Sequence, residues 1–261
     1  MGKNIDFASK KVVIADLDGT LAESKSPIDI EMAQIISKII ENRAFAIISG
    51  GSYIQFEKQV IGILQQVSHD LSNLYLFPTN STELYVFMEG TWHKKYSEAL
   101  SKEEKSRIID ALEKTIGSFE FARPEKVFGE QIEDRNTQIT FSALGQQAPL
   151  EFKKEWDPDN KRRNEMKKML DSLLPAFEVR LGGTTSIDIT RKGVDKAYGI
   201  RKIVDYLHCS IGEAFFIGDA LFEGGNDYPA ISTGIDCVQI TSTEETKAVL
   251  RQIAAIAPKN L

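Results

Sequence analysis

Cysteine is nearly missing from this 261-residue chain. Cys209 and Cys237 stand far from one another with no second cysteine near either, which excludes a disulfide framework and a zinc spacing. Both read as small buried hydrophobes. Histidine is as scarce: His69, His93 and His208 share no partnered spacing, so they read as surface or core residues rather than catalysts. Trp92 and Trp156, the two tryptophans, read as packing residues rather than a sugar platform. Basic residues are outnumbered, 32 Lys and Arg against 38 Asp and Glu, and the net charge of −6 argues against a general nucleic-acid or membrane-surface role. A phosphate site in such a chain must be made attractive locally, by metal, lysine or backbone N–H groups. No apolar run approaches membrane-spanning length, and Met1–Asp6 leads into no long apolar core of the signal-peptide kind. The expectation is a soluble cytoplasmic protein. Internal repeats and low-complexity segments are absent as well. A hydrophobic share of 42% is ample for buried cores, and the length suits one large domain or two moderate ones.

What is present begins with Asp16-Leu17-Asp18-Gly19-Thr20, directly after the apolar run Val12–Ala15. Side chains two apart on a strand point the same way, so Asp16 and Asp18 leave the strand end as a carboxylate pair. Gly19 permits a sharp turn, and Thr20 adds a hydroxyl. Two acids, a turn and a hydroxyl at the end of a buried strand suit a hard cation and a phosphoryl group. A solvated acidic turn is the plainer alternative, since Asp-Gly is common in turns. A second cluster argues against it. Ala214–Ile217 reads as another buried strand running into Gly218-Asp219, and Gly224-Gly225-Asn226-Asp227 lets the backbone fold Asp227 back toward Asp219. In open parallel sheets, ligands bind beyond the carboxyl ends of strands, where two such acidic ends would converge.

Residues 11–88 alternate apolar strands (Val12–Ala15, Phe45–Ile48, Leu74–Phe77) with amphipathic helices, the pattern of right-handed crossovers and a parallel sheet. The rhythm changes after Thr79-Asn80-Ser81, and Asn80-Ser81-Thr82, formally a glycosylation acceptor, reads as a turn. A strand over 83–87 pairs with one near Trp92 through Glu89-Gly90, and a polar helix follows at 101–116. Strands near 138–143 and 178–181 flank a charged helix around 160–173, whose Lys161-Arg162-Arg163 and Lys167-Lys168 read as a solvated face. This block has the order of an α+β insertion. The alternating pattern resumes with Ala197–Leu207, Ala214–Ile217, Val238–Ile240 and a helix at 243–255. The fold class is therefore α/β: a parallel-sheet core from 1–88 and 189–261, with an inserted α+β domain at 89–188.

Ser49 ends the run Phe45–Ile48 and opens Gly50-Gly51-Ser52, and Lys196 lies in Gly193-Val194-Asp195-Lys196. In order, the four segments holding Asp16, Ser49, Lys196 and Asp219 resemble the haloacid dehalogenase superfamily of phosphotransferases. Gly224-Gly225-Asn226-Asp227-Tyr228, Gly182-Gly183 with Ser186–Ile189, and Arg135-Asn136 before Ile139-Thr140-Phe141 narrow the resemblance to eukaryotic-type phosphomannomutases. Sugar-phosphate phosphatases of the same cap type are similar more loosely. The resemblance implies a Rossmann-like core with a type IIB cap closing over the strand ends. It implies Asp16 as nucleophile forming an aspartyl-phosphate, and Asp18 as general acid and then base. Mg2+ fits the oxygen ligands best, held by Asp16, Asp219 and the backbone carbonyl of Asp18, with Asp227 supporting the metal shell or adding a ligand. Ser49, with Gly50, and Lys196 would hold the phosphoryl oxygens. Lys25, Arg135, Ser186 and Asp188 are the expected substrate contacts. For Ser186 and Asp188 a strand face leading back to the core is the equal alternative. The implied partner is a phosphorylated sugar or similar small phosphometabolite, and a homodimer through the cap is the assembly such a chain would form.

The chain also departs from that pattern. The family's Gly-Arg pair is Gly145-Gln146 here, the arginine seven residues before Arg135-Asn136 is replaced by Phe128, and an arginine after the nucleophile loop is Lys25. A mutase must hold a bisphosphate in both orientations, and Gln146 and Phe128 cannot form arginine's charged fork. On that ground a magnesium-dependent sugar-phosphate phosphatase ranks above a phosphomannomutase. A non-catalytic binding protein ranks third, because Asp16, Asp18, Lys196 and Asp219 are all intact.

Overall fold

The computed structural model describes residues 5–258, so part of the N-terminal reading, Met1–Asn4, lies outside the described residues. Its strands are β1 (Val12–Asp16), β2 (Ala44–Ile48), β3 (Leu74–Phe77), β4 (Glu83–Met88), β5 (Thr91–Ser97), β6 (Ile132–Asp134), β7 (Ile139–Ser142), β8 (Phe177–Gly182), β9 (Ser186–Arg191), β10 (Ala214–Gly218) and β11 (Asp236–Gln239). They form two sheets, and the chain divides into two compact units, residues up to Ser97 with those from Asp195, and Glu98–Val194.

The first unit holds the seven-stranded sheet, ordered β11-β10-β1-β2-β3-β4-β5. β11 through β3 run parallel, and β4 and β5 add antiparallel to the edge. β1 is apolar from Val12 to Ala15 because both its faces are covered: Val13 and Ala15 belong to one core cluster, Val12 and Ile14 to the other. The helix Ile30–Ile40 supplies Met32, Ile36 and Ile39 to the first cluster, and Asp29 caps it by accepting the Met32 N–H at 2.8 Å. The helix Lys196–Tyr206 packs Ile200 and Ile203 into the second, and Asp195 caps it through the Tyr198 N–H at 2.8 Å. That cap sets Lys196 at the first helical residue, beside the sheet's carboxyl edge.

The second unit is an antiparallel sheet, β6-β7-β9-β8, with the helices Lys102–Ser118, Leu150–Trp156 and Lys161–Leu173. Ile139, Phe141, Val179, Ile187 and Ile189 lie in this unit's own core. Period-2 alternation leaves Thr140, Arg180, Ser186 and Asp188 on the opposite face.

Several expectations are corrected. A boundary after residue 88 falls inside the β4–β5 hairpin, whose ladder makes β5 part of the large sheet; a boundary after 188 falls inside β9. Arg163 does not belong to a solvated face. It is buried, paired with Asp157 at 2.7 Å, and donates to the Gly183 carbonyl at 2.7 Å and the Gly182 carbonyl at 3.1 Å. Both cysteines are half-buried rather than buried. The apolar spacing of Phe56, Val60 and Ile63 suggests one continuous helix, but a π-helical stretch, Glu57–Ile61, interrupts it.

Candidate active site

β1 and β10 are neighbours in the first unit's sheet, so their carboxyl ends bring Asp16 and Asp219 together from opposite ends of the chain. The Ala220–Asp227 loop returns Asp227 to the same place, where its Oδ2 accepts the Ala220 N–H at 3.2 Å. Two glycines make room. A Cβ at Gly19, whose φ is 90°, would collide with the Asp219 carboxylate, and one at Gly218 would stand 2.8 Å from Asp227 Cγ. Oxygens of Asp16, Asp219 and Asp227 all lie within 4.8 Å of one another.

One cation faces the three acids. The Lys196 ammonium, 2% exposed, donates to Asp16 Oδ1 and, at 3.2 Å, to the Ile48 carbonyl, and lies 3.3 Å from Asp227 Oδ1. Burial raises the Asp16 carboxyl well above the usual carboxylate range; Lys196 pulls it down, while Asp227 and Asp219 push it further up. Burial, then Asp227, also raises Asp219. Burial alone would lower the Lys196 ammonium, but Asp16 and Asp227 together hold it above its ordinary value. Three carboxylates against one ammonium in a buried, all-oxygen cluster suit a hard divalent cation. The Oδ1 of Asp227 supports this fit, being buried without a well-formed hydrogen bond.

Asp18 is placed differently. Its half-buried carboxylate stands outside that cluster, and Oδ1 accepts the Lys25 backbone N–H at 2.6 Å and Gln59 Nε2 at 3.4 Å. Lys25 itself has a φ of 60°. Gln59 escaped the sequence reading. It sits on the π-helical stretch, whose widened turn no apolar period reveals, and also donates to the Ser26 carbonyl at 3.0 Å. Ser49, 2% exposed, follows Ile48, the last residue of β2 and the one paired with Asp16 in the register, and its Oγ accepts the Gly51 N–H at 3.0 Å across Gly50.

The remaining sequence candidates lie in the second unit. Arg135 pairs with Glu133 at 2.7 Å and approaches Gln146 Oε1 at 3.5 Å. Asp188 Oδ1 accepts the Thr140 hydroxyl at 2.8 Å, and Gly182 leaves it room, a Cβ there falling 2.6 Å from Asp188 Oδ2. Ser186 shares that strand face. Lys153 was missed: it is buried and donates to the Gln146 carbonyl at 3.1 Å. Its sequence setting, in a charged amphipathic segment, gives no sign of that burial.

The fold matches solved haloacid dehalogenase-type structures. A Plasmodium falciparum IMP-nucleotidase aligns with a TM-score of 0.67 at 19% identity, over 95% of this chain and 68% of that one. A haloacid dehalogenase-like hydrolase from Bacteroides thetaiotaomicron aligns at 0.61 and 15%, over 94% and 99%. In sequence, the phosphomannomutase of Spinacia oleracea is 26% identical over 92% of this chain and 95% of its own length. Phosphomannomutase 1 of Homo sapiens is 25% identical over 82% of this chain and 80% of its own. That of Encephalitozoon cuniculi is 25% identical over 84% and 83%. The structural likenesses show the fold, and the sequence likenesses make the chain an enzyme of the phosphotransferase class. Residues 32–256, most of the chain, match the profile of the eukaryotic phosphomannomutases, and the chain belongs to that family.

Proposed function

We propose that this protein is a magnesium-dependent phosphomannomutase interconverting mannose 1-phosphate and mannose 6-phosphate. The observation that carries the reading is the Lys196–Asp16 contact inside the Asp219 and Asp227 cluster, in a chain of this family. The earlier ranking of a phosphatase above a mutase is reversed. Relatives named phosphomannomutase span at least 82% of this chain, and that weighs more than the exchanges at Gln146 and Phe128.

Asp16 is the nucleophile: a carboxylate oxygen bonds to phosphorus as the bond to the sugar oxygen breaks. Lys196 and Ser49, with Gly50, hold the phosphoryl oxygens as charge shifts between them. Asp18 gives its proton to the leaving oxygen and then takes one from the incoming hydroxyl. Asp16, Asp219, Asp227 and the Asp18 carbonyl would hold magnesium, which offsets the charge of the phosphate. Lys25, Arg135, Ser186 and Asp188 read the sugar and its second phosphate, with Lys153 a further cation near Arg135's partner Gln146. The enzyme acts in the cytoplasm, and its assembly is a homodimer through the second unit, where Val127 and Phe152 are exposed apolar side chains.

Incubation with mannose 1-phosphate, magnesium and a hexose bisphosphate activator is the test. Mannose 6-phosphate is expected to form faster than inorganic phosphate. The opposite ratio would establish the hydrolase reading, which one feature favours: Arg135 is already engaged by Glu133, and Gln146 beside it is neutral.

A further inference from the structure

Thr79, Asn80 and Ser81 have left-handed backbones in succession, with φ of 49°, 55° and 69°. Non-glycine residues visit this region singly, so three in a row is an outlier that its surroundings must impose. Those surroundings are elements of the active site. The Asn80 N–H donates to the Ser49 carbonyl and the Thr79 N–H to the Gly51 carbonyl, each at 2.9 Å, so the turn holds both ends of the Ser49–Gly51 loop. On its other side stands the helix that carries Lys196. Gly199 lies one turn beyond Lys196 on the same face. A Cβ at Gly199 would collide with Ser81 Oγ and stand 3.1 Å from both Ser81 Cβ and Ile48 Cδ1. Ile48 is also the residue whose carbonyl accepts from Lys196.

Ser81 is fully buried and its hydroxyl has no hydrogen-bond partner. Glycine would adopt this φ freely. What serine adds is volume, filling the notch over Gly199 and setting the distance between helix and loop. Two hydroxyls fasten the turn: Thr82 Oγ1 donates to the Thr79 carbonyl at 2.7 Å, and Tyr96 Oη to the Ser81 carbonyl at 2.9 Å. Tyr96 also reaches the helix, its ring lying 5.3 Å from the Lys202 ammonium.

We infer that the left-handed turn Thr79–Ser81, wedged against Gly199, is a positioning element that fixes Ser49 and Lys196 relative to Asp16. The inference rests on the proposed phosphoryl-holding roles of those two residues. The helix is stopped by contact with a turn whose backbone also carries the serine loop, so one small strained segment sets the height of both groups.

The test is the magnesium-dependent turnover of an aryl phosphate, which reads phosphoryl transfer without the sugar. Gly199→Ala thickens the contact and Ser81→Gly thins it. Each is expected to lower kcat by about tenfold while moving KM by less than about twofold. Because one change compensates the other, the double variant is expected to recover to within about threefold of the parent. In a Lys196→Ala background, Gly199→Ala is expected to change the residual rate by less than about twofold, since it acts through that lysine. Parental kcat in both single variants, an additive loss in the double, or an undiminished loss without Lys196 would overturn the inference. Should Gly199→Ala fail to fold, Tyr96→Phe carries the test. It removes only the hydroxyl on Ser81, and a kcat lowered by about threefold or more is expected, whereas parental kcat overturns the inference. Failure of the site itself looks different: Lys196→Ala would then retain parental kcat.

Discussion

At Asp16, burial and crowding oppose the charge that the proposed reaction needs, and among the described residues Lys196 is the group that offsets them. Asp16→Asn removes the nucleophile without changing shape, so kcat is expected to fall by roughly a thousandfold or more in a protein that still folds. A folded Asp16→Asn protein with ordinary turnover would end the proposed mechanism. Asp219 tests the crowding itself. With metal chelated, three carboxylates share one ammonium, and Asp219→Asn relieves part of that repulsion. Its thermal midpoint in EDTA is expected to lie a few degrees above the parent's, about 1 kcal/mol at this chain length. The rise on adding magnesium should shrink, because a ligand is gone. A lower midpoint in EDTA would show that Asp219 stabilises the metal-free protein. At this scale the sequence was partly legible. Asp16, Asp219 and Asp227 were readable because apolar strands and glycines flank them. Gln59, Lys153 and the backbone of Ser81 were not, since each is defined by a neighbour distant in the chain or by a φ that serine does not announce.

Among the elements, the helix Lys102–Ser118 shows how a local signal and a distant one combine. Ser101 and Glu104 form a capping box, the pattern that a serine followed by glutamate three residues on encodes. Glu104 is also the partner of Arg191 on β9, which its sequence neighbours do not reveal. The Arg191 hydrogen bond, then the Ser101 N–H, holds the Glu104 carboxyl down at about 2. A carboxyl depressed in the folded state contributes stability above its unfolded value and loses it as pH falls through the folded one. The contribution is therefore expected to be complete above about pH 4.5 and to fade toward pH 2. Because the pair is largely solvated, screening limits it to about 1 kcal/mol. Glu104→Gln should be less stable than the parent by that amount in denaturant titrations at pH 7, and the gap should narrow as pH falls from 5 to 3. A gap that stays constant with pH would mean the pair contributes nothing. β1 and β10 were legible as strands because both faces are buried and their runs are unbroken. β5 was placed in the wrong domain because a hairpin partner says nothing about where a domain ends, and its side chains are largely exposed.

The whole molecule is built from a core whose two chain segments flank a unit with its own apolar interior. Arg191 ties the ends of that unit together, donating to the Ala99 carbonyl at 2.8 Å and the Glu98 carbonyl at 3.3 Å. A fragment of residues 98–194 thus has adjacent termini and a core with Ile108, Leu112, Phe141 and Ile187 at its centre. It is expected to unfold in urea as a single cooperative transition, and a gradual loss of signal would show that it depends on the rest of the chain. The family was legible at this scale because its motifs are spread over both segments. The proposed mutase reading was not, because Gln146 and Phe128 argue against it residue by residue while the overall likeness argues for it.

The sheet order has a consequence for the protein's birth. β1 sits between β2 and β10, and the ribosome delivers β10 long after β1, with the Glu98–Val194 unit in between. Until Ala214–Gly218 emerge, one whole edge of β1, apolar from Val12 to Ala15, lacks its partner, while the Glu98–Val194 unit is already complete and free to fold. Nascent chains therefore pass through a stage with a finished insert and an open-edged core, the kind of edge on which strands of other chains assemble. A chain stopped at residue 212 should collect in the insoluble fraction, so nonsense mutations that fall between the insert and β10 would burden quality control as well as remove an activity.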